Sequence, residues 1–127
     1  MSTVTVVTGG ELHPWTGPTP DITFNLSRLL HDPAHIPTGE MLDKTGLDPE
    51  VAAFVFDSDE ALELLDAAID LLLIPAKPVL VAVLCRGGRH RSVAFAERLT
   101  QALVESGVDA GRPTHFHIEL PRVIRKG

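Results

Sequence analysis

A single cysteine among 127 residues excludes an internal disulfide. Tyrosine is absent, and one tryptophan and five phenylalanines are the only other aromatic rings, so there is no array of rings to stack single-stranded bases. No apolar run approaches the roughly 18 residues needed to span a bilayer. Met1-Ser2-Thr3-Val4 places no basic stretch ahead of an apolar one, so no secretory signal is read and a soluble cytoplasmic protein is expected. Ten glycines and ten prolines form no repeat, which sets aside collagen-like and low-complexity architectures. What remains is an ordinary globular balance, 44% hydrophobic and 22% charged, of a length expected to make one domain over residues 1–127.

A formal net charge of −6 argues against a general polyanion binder, but the charge is uneven. Residues 1–84 carry 3 basic and 13 acidic side chains, whereas residues 85–127 carry 8 basic and 4 acidic. The basic groups concentrate in Arg86, Arg89, Arg91 and Arg98, and again in Arg122, Arg125 and Lys126. Eight of the 11 are arginine, whose planar fork suits phosphate oxygens.

Residues 2–8 alternate like a strand and end at Gly9-Gly10, and residues 9–20 read as a loop. Ile22, Phe24 and Leu26 share one face of a second strand. Residues 28–47 are broken by proline and glycine, the pattern of a long functional loop or lid, and hold His31, Asp32 and His35. Asp48 and Pro49 start a short helix. Asp57 and Glu60 have capping-box spacing for a second helix, with Leu62, Leu65, Ile69, Leu72 and Leu73 on its apolar face and Pro75 as its stop. Residues 78–84, a continuous apolar run, predict a central strand covered on both sides. Helical spacing resumes over 91–106, with Gly107 as the cap. Alternation over 114–120 predicts a last strand with His115 and His117 on one polar face, at most half of a metal site, and no cofactor is expected. Trp15 is expected to pack against the domain. Strands alternating with helices predict a single-domain layered α/β sheet with helices on both faces.

The chemistry concentrates at Cys85-Arg86-Gly87-Gly88-Arg89-His90-Arg91-Ser92. A buried strand, a glycine loop and a helix start form an anion cradle: amides point outward, the helix dipole favours negative charge, and glycines permit close approach. Cys85, five residues, Arg91 and Ser92 also match the Cys-x5-Arg-Ser spacing of cysteine-dependent phosphatases, the alternative reading, in which Cys85 attacks phosphorus and Asp32 or Asp43 serves as the acid.

The 85–99 segment, CRGGRHRSVAFAERL, resembles the Cys-x-Gly-Gly-x-His-Arg-Ser-Val-x-x-Ala-Glu motif of the RapZ C-terminal domain family of RNase adapters. Phe24-Asn25-Leu26, Arg28-Leu29-Leu30, Asp32-Pro33 and His35 resemble its Phe-Asp-Val-Arg-x-Leu-x-Asn-Pro-His stretch, with Asn25 where the family has Asp. Thr45-Gly46-Leu47-Asp48 matches its Thr-Gly-Leu-Asp segment, and the resemblance covers about residues 21–120. It implies a fold related to one lobe of phosphofructokinase, self-association into a homo-oligomer, and sensing of glucosamine-6-phosphate. It further implies binding of small RNA and contact with an endoribonuclease. The ligand residues it implies are Arg86, Gly87, Gly88, His90, Arg91, Ser92 and His35. Arg89, from the basic cluster, and Asn25 join them, and Arg122, Arg125 and Lys126 are the candidate RNA contacts. Full-length members of the family carry a Walker A loop; this sequence has no Gly-x4-Gly-Lys-Ser/Thr, so ATP hydrolysis through one is not expected.

Overall fold

The computed structural model describes residues 3–30 and 44–120. Its elements run β1 (Thr3–Gly10), β2 (Ile22–Asn25), α1 (Pro49–Val55), α2 (Asp59–Leu72), β3 (Val79–Cys85), α3 (Arg91–Glu105), β4 (Asp109–Ala110) and β5 (Thr114–His115). The strands pair in parallel in the order β2-β3-β1-β4, with β5 also on β1. The result is a layered α/β fold. As its unbroken apolar sequence predicts, β3 lies inside the sheet, held to β1 from Val4↔Val79 to Gly10↔Cys85 and flanked by β2 on its other side. β1, upstream of the segments that carry the resemblance, is a core strand through Val4 and Val6.

Helices were expected on both faces; among the described residues they gather on one. The main core joins Val4, Val6, Val81, Val83 and Cys85, all of one sheet face, to Leu65, Ala68 and Leu72 of α2 and to Phe95, Leu99 and Leu103 of α3. The reason is the direction of travel. The β2-to-β3 and β3-to-β4 connections move the same way across the sheet, and right-handed crossovers then land on the same face. Only the β1-to-β2 connection runs back, and its residues 11–21 form no helix. α1 packs on α3 instead, through Val51, Val55 and Ala94, while the Phe56 ring stacks on Phe95 with centroids 6.1 Å apart.

Three local readings need correction. The cap of α2 is Ser58, which accepts from the Ala61 amide at 3.1 Å, and Glu60 instead accepts from the Leu30 amide at 3.1 Å. The face α2 buries is Ala61, Leu65, Ala68 and Leu72, which leaves Leu62 and Leu73 exposed. The last strand stops at His115 and turns over 116–120, because the β1 amide that would extend the ladder, Gly10 N–H, donates to His117 Nδ1 at 2.8 Å. The Asp48 start of α1 holds, but its carboxylate accepts from the Thr45 amide at 2.8 Å rather than capping the helix. Gly107 ends α3 at φ 86°, with Val108 N–H returning to the Leu103 carbonyl at 2.9 Å. No helix of the described residues is long and apolar enough to cross a membrane.

Candidate functional site

β3 delivers Cys85 to the carboxyl end of the sheet, and residues 86–90 turn directly into α3. The strand ends beside it brace this turn. Glu11 N–H donates to the Cys85 carbonyl at 2.8 Å and Leu12 N–H to the Arg86 carbonyl at 3.1 Å. From the other side Gly46 N–H donates to the Arg89 carbonyl at 2.7 Å. Glycine is needed here for closeness. A Cβ on Gly88, whose φ is +75°, would fall 2.7 Å from the Gly10 nitrogen, and one on Gly10 would fall 2.4 Å from the Gly87 carbonyl carbon. Gly87 differs, since a Cβ there meets nothing within 4 Å. Its outer side is open, and neither the Gly87 nor the Gly88 amide is hydrogen-bonded among the described residues. The turn thus leads into the start of a 15-residue helix with the Gly87 side open and Gly88 buried against β1.

The expected side chains divide into an outer and an inner set. Arg86 is half-buried at the rim, and Arg89 donates through Nη1 to the Leu120 carbonyl at 3.4 Å. His90 is buried at the cap of α3, with its carbonyl taken by the Ala94 amide at 2.9 Å. Arg91, only 4% exposed, turns inward: Nη1 donates to the carbonyls of Leu26 and Ser27, both at 3.0 Å, and of Leu29 at 3.2 Å. It clamps the chain leaving β2, where Leu30 takes an unusual φ of 65° for a leucine. Ser92 is fully buried, and its hydroxyl oxygen accepts from the Cys85 thiol at 3.2 Å. Asn25 is exposed at the mouth; its Oδ1 accepts from Ser27 N–H at 2.9 Å and its Nδ2 donates to Glu11 Oε2 at 3.1 Å. His35, Arg122, Arg125 and Lys126, together with the phosphatase acids Asp32 and Asp43, lie outside the described residues.

Of two further residues of this region, Glu11 went unread in the sequence and His117 was read only as a strand-face partner of His115. Glu11 is a carboxylate at the mouth, held well into its ionised form first by the Asn25 amide and then by the Ser27 hydroxyl, with the arginine charges of Arg86 and Arg28 adding to this. The Ser27 hydroxyl faces it without closing to hydrogen-bond geometry. His117 is 2% exposed behind Gly88, its ring 5.1 Å from that of His13 and edge-on to Trp15. Burial, then the His13 charge, pushes its pKa below the ordinary histidine value. The sequence signal for both was their place in the fold, which spacing does not carry.

The expected pairing of His115 with His117 dissolves with the short β5. His115 bridges the Thr8 hydroxyl at 2.8 Å and Glu97 at 3.1 Å, while His117 serves Gly10. Among the described residues no group of three ligating side chains forms a metal site. Trp15 packs as expected, edge to face with Phe116 at 5.5 Å. A separate groove of about 910 Å³ runs between α1, α3 and residues 110–113. Its walls mix alanines, Phe56 and Val104 with charged side chains such as Glu97, Arg98 and Arg112, and no residue of the 85–92 turn lines it.

The motif and its setting agree with a comparison of sequences. Residues 13–119 match the RapZ C-terminal domain. The chain belongs to that family. Among its relatives, a nucleotide-binding protein of Desulfovibrio desulfuricans is 40% identical over 108 residues, which is 79% of this chain and 34% of the relative. One of Streptomyces avermitilis is 40% identical over 90 residues, 65% of this chain and 29% of the relative. One of Lachnoclostridium phytofermentans is 37% identical over 100 residues, 71% and 34%. The chain therefore spans about a third of the length of these RapZ-family relatives.

Proposed function

We propose that residues 1–127 form one RapZ C-terminal-like domain, a cytoplasmic regulatory or adapter module that binds a phosphorylated small metabolite at the 85–92 turn. The metabolite class is an amino-sugar phosphate such as glucosamine-6-phosphate. The observation that carries the reading is the pair of unbonded amides, Gly87 and Gly88, at the start of α3 and at the carboxyl end of an inner parallel strand. Arg86, Arg89 and Asn25 complete the contact surface above the buried His90, with His35 joining by resemblance. Arg91 and Ser92 act from behind, one fixing the chain after β2 and the other packing under Cys85. In this reading the domain self-associates and passes the ligand state to a small RNA or an endoribonuclease, with Arg122, Arg125 and Lys126 as the RNA contacts.

The cysteine-phosphatase alternative draws less support. Cys85 is 2% exposed with its thiol bonded to Ser92, and Arg91 spends Nη1 on backbone carbonyls rather than on the cradle. Absence of aryl phosphate turnover, in the intact protein as in Cys85→Ser, is the expected outcome.

Thermal unfolding tests the binding reading. Millimolar glucosamine-6-phosphate, other sugar phosphates and inorganic phosphate are added in turn, and a ligand of the native state must raise Tm by mass action. Gly87→Asp places a carboxylate where an added Cβ meets nothing within 4 Å, so the fold should persist while the Tm shift is lost. No shift with any anion would leave the turn a purely architectural feature.

A further inference from the structure

His117 stands where three pieces of chain meet. Its ring is 2% exposed, and Nδ1 accepts the Gly10 N–H at 2.8 Å. A Cβ on Gly88 would fall 2.9 Å from the His117 Cβ, so the 85–92 turn rests directly on this residue. From Gly10 the chain runs on to brace that turn, with Glu11 N–H on the Cys85 carbonyl at 2.8 Å and Leu12 N–H on the Arg86 carbonyl at 3.1 Å. The His13 amide then returns to the Gly10 carbonyl at 3.0 Å, and the His13 ring lies 5.1 Å from that of His117. Nε2 of each ring is buried without a hydrogen bond among the described residues. Because Nδ1 of His117 accepts an N–H, the neutral ring carries its proton on Nε2. A second proton has only Nδ1 to go to, where it meets the Gly10 N–H head on.

We propose that His117 is a proton-operated latch on the 85–92 turn, closed while the ring is neutral and released when Nδ1 takes a proton, with His13 as the residue that sets the pH of release. The proton turns the acceptor of the Gly10 bond into a donor, so that bond breaks, and it leaves a cation in a site sealed from water. Both effects drive Gly10 and His117 apart, and the Glu11 and Leu12 bonds to the turn follow Gly10 directly in the chain. The groups that face His117 set its response. From the segment after β1 these are His13, whose charge opposes a second one, the Pro14 backbone and the edge of Trp15. The Pro14 and Gly10 backbone favours the proton, but burial opposes it more strongly. The charged side chains of the same segments are directed elsewhere: the Glu11 carboxylate to Asn25, Arg89 to the Leu120 carbonyl, Arg86 to the rim, and Glu119 to solvent. Among the described residues no carboxylate pairs with the buried ring. The latch concerns the shape of the turn and stands apart from what the turn binds.

The test is amide hydrogen exchange of the full chain, followed by NMR between about pH 7 and pH 5 and expressed as protection over each amide's intrinsic rate at that pH. As pH falls below the ordinary histidine value, the Gly10, Glu11 and Leu12 amides should lose protection together, by up to about tenfold per pH unit for one proton taken up on release. The Leu99 and Leu103 amides inside α3 should keep theirs, which separates release of the latch from global unfolding. In His117→Asn, whose Oδ1 falls where Nδ1 stands and takes no proton, the three amides should stay protected throughout. In His13→Gln, with the opposing charge gone, the His117 ring should titrate at higher pH and the three amides should follow it. Imidazole nitrogen shifts at neutral pH should place the His117 proton on Nε2. Protection that ignores pH, that is lost at Gly10 alone, or that falls in step with α3 overturns the latch, as does a pH dependence that persists in His117→Asn. Should that variant fail to fold, the other two measurements decide: a neutral proton on Nδ1, or a ring titration that His13→Gln leaves unmoved, overturns it.

Discussion

The guanidinium of Arg91 answers three carbonyls that leave β2 more than 60 positions away, so its loss is structural before it is functional. Arg91→Ala strands those acceptors, of which the Leu26 carbonyl is buried and the other two partly so. It is expected to cost on the order of 3 kcal/mol in denaturant unfolding. A cost below about 1 kcal/mol would mean that the carbonyls find water and that the clamp is incidental. For this reason Gly87→Asp is the cleaner probe of anion binding. His117 makes a second prediction at this scale. Its Nδ1 accepts the Gly10 N–H, so the folded ring is neutral and a proton can be added only by breaking that bond. Burial and His13 hold its native pKa below the ordinary 6.5. The unfolded chain therefore takes up the proton first as pH falls. The stabilisation is complete above 6.5 and is lost as pH drops through the lowered native value. His117→Gln, which keeps an acceptor and removes the titration, should flatten stability between about pH 7 and pH 5. An undiminished slope in that variant would place the pH dependence in another group.

The elements divide by how local their causes are. β3 and α3 were legible because an unbroken apolar run and a 3.6-residue period need no distant partner to be recognised. So was the glycine turn between them, since glycine, arginine and a helix start are adjacent in sequence. Other features are decided from far away. β5 ends where His117 takes the amide of Gly10, 107 positions earlier, and β4 is two residues that pair only because β1 is there. Arg91 read as a phosphate fork because residue type and spacing are the same whether the fork meets phosphate or carbonyls. α2 shows the smallest such slip: Asp57 has the spacing of a cap, yet Ser58 holds the Ala61 amide because Glu60 is drawn to Leu30. Ser58→Ala should therefore cost about 1 kcal/mol and Asp57→Ala much less. Equal losses in thermal unfolding would return the cap to Asp57.

At the scale of the whole molecule, charge sets the terms on which an RNA partner can be met. The chain is −6 overall, and the first 84 residues are strongly acidic, so a polynucleotide is repelled by most of the surface and attracted only by the arginine-rich remainder. The proposed RNA contacts number three: Arg122, Arg125 and Lys126. Three neutralised phosphates on a single strand give a log–log salt slope of about −2, so affinity should fall about twentyfold between roughly 50 and 200 mM salt. Ending the chain at Leu120 should abolish the binding and flatten the slope, while leaving the sugar-phosphate Tm shift in place. The two results together would separate an RNA arm from a metabolite cradle in one small domain. A much steeper slope, or binding that survives the truncation, would instead move the RNA onto Arg86, Arg89 and the arginines of α3 and its exit. The metabolite and the RNA would then compete for one surface, and glucosamine-6-phosphate should displace the RNA in a direct competition.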